Sequence, residues 1–406
     1  MKTNKKMLAL LGTGHAITDI NQGALPMMLA FLQPIFALSQ LQVGIVMLAF
    51  NLISSVIQPI FGVLSDRFRA AWLIPLGCLL AGLGMSLTGF SPNFSILLLV
   101  ALVSGLGVAA YHPEGSKYAR FASGDRKASG MSLFSVGGNL GFAAGPVLTS
   151  FFIGLAGLYG STGFFVLNGI MALLLWLYLS RITETRQAAP APAPASNKKT
   201  ASAPVVNASS ALRLFIPVVI LVLVVTMRSW VHLGLVTFLP QYYIHYLHHS
   251  EAYAASLTSV FLVAGAVGTL VGGPAADRWG LKNIVAGSMA LMIPLLYLFT
   301  RLSGIWVPVV VALAGFTVVS TFAVTVVFSQ ELLPNNVGLA SGLILGFAVG
   351  MGGVGATMLG WVADHWGLPA VFRVMIIFPV IGLLLALALP GREALRKRQR
   401  ASNATS

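Results

Sequence analysis

Charge is what this chain has least of. Of 406 residues only 10 are acidic and 24 basic, so charged side chains make up 8% of the sequence against 57% hydrophobic residues. A soluble domain carries roughly 25% charged residues, and a chain this poor in them cannot cover itself with a wettable surface. Cysteine is almost missing: Cys78 stands alone inside an apolar segment, which excludes an intramolecular disulfide. No cleavable signal is recognisable, because the first apolar stretch is too long and lacks an A-x-A-like site. It reads as a permanent helix. No Gly-x-x-x-x-Gly-Lys-Ser/Thr loop is present to cradle nucleotide phosphates, so ATP-driven work would need another protein.

What is present is apolar length. Mean hydropathy is +0.88, and a membrane span needs roughly 20 apolar residues. Twelve runs qualify, near 7–36, 41–64, 72–90, 94–115, 129–155, 162–180, 213–243, 254–276, 284–300, 306–329, 338–361 and 370–389. The expected fold is therefore an all-α integral membrane protein of twelve helices. The net charge of +14 is not a nucleic-acid signature. With the N-terminus inside, 21 of the 24 basic residues fall on cytoplasmic segments, leaving only Arg228, Arg301 and Arg373. That bias places both termini in the cytoplasm and names the lipid bilayer, not nucleic acid, as the partner.

The chain repeats itself. Gly62-Val-Leu-Ser-Asp66-Arg67 returns as Gly273-Pro-Ala-Ala-Asp277-Arg278, 211 residues later, each time where an apolar run meets a basic turn. Ala128-Ser-Gly-Met-Ser-Leu133 returns as Ala340-Ser-Gly-Leu-Ile-Leu345, and Gly138 and Gly141 fall opposite Gly350 and Gly353. Matched offsets across two spans predict two pseudo-symmetric six-helix halves, related by an axis along the membrane normal. Their expected limits are 1–181 and 213–390. Between them 182–212, with its Ala188-Ala-Pro-Ala-Pro-Ala-Pro-Ala-Ser196 run, reads as a flexible, partly PPII cytoplasmic linker, and 391–406 as a basic tail.

The two Gly-x-x-x-Asp-Arg turns resemble the loop motif of the major facilitator superfamily. Gly137-Gly138-Asn139-Leu140-Gly141-Phe-Ala-Ala-Gly145-Pro146 is similar to that family's glycine-rich antiporter motif. Five shorter patterns resemble one subgroup, the fosmidomycin resistance exporters. They are His15-x-x-x-Asp19, Ser54-Ser55-x-x-Gln58-Pro59, His112-Pro113-Glu114-x-Ser116, Ala119-Arg120-x-Ala122-Ser123-Gly124 and Gln330-Glu331-Leu-Leu-Pro334. The resemblance covers about residues 10–390. It implies proton-coupled efflux by antiport and multidrug or antibiotic resistance, with a small, polar or anionic drug such as fosmidomycin as substrate. It also implies a bacterial inner-membrane location, a monomer, and no cofactor beyond the proton gradient. One feature departs from the drug:proton pattern: before Gly105-Leu-Gly107, position 101 is alanine where that motif has arginine, so coupling must run through other groups.

Ionisable residues inside a bilayer are costly and point to function. His15 and Asp19 share a helix face at i, i+4, with Gln22 one turn further on. They read either as a titrating pair that passes a proton or as a static contact holding span one to span five. His112 and Glu114 flank a proline that frees backbone carbonyls; they can serve a cavity, or Glu114 can simply pair with Lys117 or Arg120. Glu331 holds the corresponding place in span ten. These five are the proton-coupling candidates. Arg228, near mid-membrane, offers a forked donor set suited to carboxylate or phosphonate, with His232 one turn on. It reads as a substrate anchor or as a fixed partner of Asp19 or another acid. Gln22, Asn51, Gln58 and Asn139 complete the expected substrate contacts. Asp66, Arg67, Asp277 and Arg278 read as gates, or as plain solvated turns.

The glycines of spans five and eleven read as close helix packing, and Trp230, Phe238, Tyr242, Tyr243 and Tyr246 as belt or wall. His245, His248, His249 and Glu251 are read as a solvated loop, so no metal site is expected. Two rival functions share most of these residues: an uptake symporter or facilitator for an organic acid, and a non-transporting membrane sensor or scaffold. An enzyme is not expected, because no Ser/His or carboxylate pair has convincing spacing.

Overall fold

The computed structural model describes residues 3–58, 60–61, 70–124, 127–187, 208–333, 340, 342–348 and 350–391. Every regular element among them is helical. The first half contains α1 (Lys5–Ile35), α2 (Gln40–Asn51, continued by a π-helical turn over Leu52–Val56), α3 (Leu73–Leu87), α4 (Phe94–Ala122), α5 (Lys127–Ala156) and α6 (Thr162–Leu177). The second contains α7 (Ala208–Gln241, with a π turn over Tyr242–Tyr246), α8 (Glu251–Trp279) and α9 (Leu281–Phe299). It ends with α10 (Trp306–Ser320, resuming over Phe322–Leu332), α11 (Gly352–Trp366, preceded by a π turn over Gly342–Ala348) and α12 (Leu368–Met375, resuming over Ile377–Leu387). Each half packs alike. In the first, α1 lies on α5 and α3 on α4 and α6; in the second, α7 lies on α11 and α9 on α10 and α12.

Eight segments are long and apolar enough to span a bilayer by themselves, one of them, Leu133–Leu177, running through both α5 and α6. The rods that fall short are α1, α2 and α11. α1 has the length but carries Thr13, His15, Thr18, Asp19, Asn21 and Gln22. α2 and α11 are interrupted by their π turns. All three meet the opposite half, where polar groups and irregular backbone are sheltered from lipid.

Sequence and structure differ at two boundaries. α4 continues through Pro113 to Ala122, so His112 lies ten residues inside the helix end and not beside it. Helix also enters the expected linker from both sides, over Leu179–Gln187 and from Ala208, leaving 188–207, which lies outside the described residues, as does the tail from 392.

Glycines set the closest approaches. On α5, a Cβ at Gly137, Gly141 or Gly145 would overlap the α1 backbone at Gly12, Ala16 and Gly23–Ala24. The glycine-rich stretch is thus a seam that brings two backbones together. Across the halves, α2 packs on α11 and α5 on α8.

Candidate functional site

The α1–α5 seam places α1's polar face against α4. His15 and Asp19 lie on successive turns of α1, and His112 reaches them from α4. His15 Nε2 is 3.2 Å from Asp19 Oδ2, and His112 Nε2 is 3.0 Å from Asp19 Oδ1. The two histidine Nε2 atoms are themselves 3.0 Å apart. All three side chains keep 11–19% of their surface open, so water can reach the cluster. Both histidines sit ten residues from the basic-turn end of their helices, about 15 Å at ~1.5 Å per residue.

The neighbours decide which ring nitrogens carry protons. His15 Nδ1 lies 2.8 Å from the Phe134 carbonyl, which can only accept, so Nδ1 donates. The ring is stacked on Phe134 with centroids 4.1 Å apart. Gln58 Nε2 donates to Ser54 O at 2.6 Å and turns its other N–H toward His112 Nδ1 at 3.4 Å, which leaves the His112 proton on Nε2. That single proton faces both His15 Nε2 and Asp19 Oδ1. When it goes to His15, Asp19 Oδ1 is buried without a partner. When it goes to Asp19, the His15 Nε2 lone pair is left facing Asp19 Oδ2. One added proton, on His15 Nε2, satisfies every polar atom of the group.

Gly138 makes room for this arrangement: a Cβ there would overlap the His15 ring and lie 2.7 Å from Asp19 Oδ2. The donor atoms of His15, Asp19 and His112 lie within 4.8 Å of one another, close enough to share a divalent cation as well as a proton. Among the described residues no other metal-capable group occurs. The loop histidines do other things: His245 Nε2 donates to Ala30 O of α1 at 2.8 Å, and His249 packs on Tyr243 and Tyr253.

The remaining candidates are dispersed. Glu114 is fully buried and paired with Lys117 at 2.9 Å, outside the histidine cluster. Glu331 is partly buried near the end of α10. Asn51 is buried and donates back to Met47 O at 2.8 Å, Asn139 is exposed, and Gln22 is partly buried on α1. Gln58, an expected substrate contact, turns its amide toward His112. Asp277 and Arg278 are exposed, with Arg278 lying over Trp279. Asp66 and Arg67 lie outside the described residues.

Arg228 has no ion-pair partner among the described residues. It is buried on α7 with 5% exposure, its Nε has no hydrogen-bond partner, and its guanidinium lies 5.1 Å from the Phe322 ring centroid. No described carboxylate pairs with it; Asp19 is engaged by the two histidines. His232 sits between Phe142 and Phe261, from α5 and α8.

Two arrangements carry little sequence signal. Asn21 donates to Asn168 Oδ1 of α6 at 2.9 Å beside Cys78, a satisfied polar contact within the first half. Asp364, at the end of α11, accepts from the backbone of Gln40 and Leu41 on α2. The Asn pair has no periodicity to announce it. Asp364 has one, as Gly360 stands four residues before it.

The model of the Major Facilitator Superfamily matches residues 11–250 and 218–405, two overlapping stretches that together cover nearly the whole chain. The chain belongs to that superfamily. The transporter is 31% identical to the Fosmidomycin resistance protein of Escherichia coli (strain K12), over 94% of this chain and 92% of that one. It is 33% identical to YfnC of Bacillus subtilis (strain 168), named as an MFS-type transporter, over 96% and 94%. Among solved structures, it resembles a bacterial homolog of the human lysosomal transporter Spinster, inward-facing and unoccupied, with a TM-score of 0.74. That match is at 16% identity and covers 94% and 96% of the two chains. The nucleoside transporter NupG gives a TM-score of 0.71 at 14% identity, over 94% and 98%. The chain is therefore a multi-pass membrane transporter and not an enzyme.

Proposed function

We propose that the chain is a proton-coupled exporter of small polar or anionic drugs, fosmidomycin among them, working by alternating access in a bacterial inner membrane with both termini inside. The observation that carries the coupling is the hydrogen-bond count at His15, Asp19 and His112: the group is one proton short of full satisfaction and open to water. A proton binding there pulls both histidines onto Asp19; its loss frees Asp19 Oδ1 and loosens α1 from α4. Arg228 is the anion's anchor. A buried guanidinium without a counter-ion among the described residues carries a desolvation penalty of several kcal/mol, which a carboxylate or phosphonate relieves, and His232 borders the same route.

Glu114 and Glu331 then position α4 and α10, and the Asp66-Arg67 and Asp277-Arg278 turns gate the inner face. The halves are residues 1–181 and 213–390, acting within one monomer. The energy source is the proton gradient alone. Purified protein in liposomes with an imposed pH gradient tests this reading. Fosmidomycin should move against the proton flow, and flux indifferent to the gradient sinks the coupling. Substrate moving with the protons instead would make the chain an uptake symporter, for which the relative's resistance name gives no support.

A further inference from the structure

The Gly-x-x-x-Asp pattern occurs a third time, as Gly360-Trp361-Val362-Ala363-Asp364, and this copy lies at the opposite end of the bundle from the basic turns. Its surroundings show what the pattern does. α2 starts at that end with four backbone N–H groups that have no intrahelical partner. Ser39 and Gln42 form a capping box that handles the Gln42 and Ser39 N–H groups, and Val43 N–H donates to Ser39 O. Gln40 and Leu41 remain. Their N–H groups donate to Asp364 Oδ1 and Oδ2, at 2.6 and 2.8 Å, across the boundary between the halves.

Within its own helix Asp364 is misplaced. It sits in the last turn of α11, where the helix dipole disfavours an anion, and it faces the first turn of α2, where the dipole favours one. Gly360, one turn earlier, supplies the approach: a Cβ there would overlap Gln40 O and lie 2.9 Å from the Leu41 Cα. The same seam continues inward, where a Cβ at Gly44 would meet Ala356 and Thr357, and one at Gly353 the Leu48 Cα. The described copy at the basic end, Gly273–Asp277, lacks such a contact. A Cβ on Gly273 would meet nothing within 4 Å, and Asp277 is exposed with no ion pair to a described residue.

We infer that Gly360 and Asp364 form a reversible lock, in which a carboxylate on one half caps a helix of the other and holds this end closed. Alternating access requires the lock to part. The Gln40 and Leu41 N–H groups then exchange Asp364 for water, so the residue sets the balance between conformations without touching substrate. This follows from the transporter fold alone and does not depend on what is carried or on the proton site.

The test is a distance measurement on the full chain in lipid nanodiscs. Spin labels on Tyr159→Cys and Ile305→Cys, two exposed positions at this end in different halves, would report the gap, in a Cys78→Ser background. Losing a helix cap shifts an equilibrium by about fivefold. Asp364→Ala should therefore raise the population at long distance about fivefold, and Asp364→Glu should do so less. The contact is partly open to solvent, so high salt should shift the unsubstituted protein the same way and leave Asp364→Ala unmoved. A distance distribution unchanged in Asp364→Ala overturns the assignment. Should that variant fail to fold, an unchanged distribution at high salt overturns it equally.

Discussion

His112 Nε2 lies 3.0 Å from His15 Nε2, although 97 residues separate them. Two imidazole nitrogens at that distance cannot both carry protons pointing at one another. The pair is held by commitments made elsewhere: His15 to Phe134 O, His112 to Gln58, and both to Asp19. An arrangement whose satisfaction depends on one exchangeable proton can be disabled without being demolished.

Asp19→Asn keeps the shape and removes the charge that draws the histidines together. Uphill transport driven by a pH gradient should fall by a factor within the ~5–150-fold range of ordinary site-to-site coupling. Exchange of labelled for unlabelled substrate, which needs no net proton movement, should persist. Loss of both activities together would mean that Asp19 holds the fold and not the proton.

Gly138→Ala drives a methyl group into the His15 ring and toward Asp19. Overpacking of this kind destabilises by ~1–3 kcal/mol, so thermal unfolding should move down while pH-driven flux falls further than stability alone explains. Gly154→Ala, where a Cβ meets nothing within 4 Å, is the matched control.

Arg228→Lys preserves a cation and loses the fork. A hydrogen bond to a charged group contributes ~1.5–3 kcal/mol, so affinity for an anionic substrate should weaken by roughly tenfold or more. Arg228→Met should abolish that affinity yet leave the empty protein as stable or more so, because it removes a buried charge that lacks a counter-ion. A large drop in melting temperature for the Met variant would assign Arg228 a structural ion pair instead.

Asn168→Ala removes the partner of Asn21 in a contact far less open than the histidine cluster. Asn21 Nδ2 keeps its bonds to Ile17 O and Thr18 O, but Asn21 Oδ1, left buried without its donor, should reduce stability by ~1–3 kcal/mol, while the pH dependence of transport stays that of the unsubstituted protein. A changed pH profile would extend the coupling group into α6.

Most of the architecture was legible because it is written in repetition and hydropathy. Twelve apolar runs and the paired offsets of Asp66 with Asp277 and Gly138 with Gly350 need no tertiary information. His15 and Asp19 were legible as a pair, since i, i+4 spacing is a local property. That His112 completes them was not, because α4 runs on past Pro113 and carries the ring to mid-membrane depth. Nor was Gln58 legible as a neighbour of His112, because nothing local to it reveals that its amide meets an imidazole 54 residues away. Asp364 was missed for a related reason. Alone on its helix it is an acid in an unfavourable place, and only the facing end of α2 explains it.

The hydrogen bond from His15 to Phe134 O ties α1 to α5. Phe134 and Ala143 lie on the same helix, nine residues or about 13 Å apart, and the Ala143 carbonyl accepts from Ser259 of α8 in the opposite half at 2.6 Å. α5 is thus a stiff rod, gripped by the His15 ring at one point and resting on the neighbouring bundle at another. Under the proposed coupling, a proton arriving at His15 changes the load on that rod, and the far half feels it as a push with no messenger but backbone.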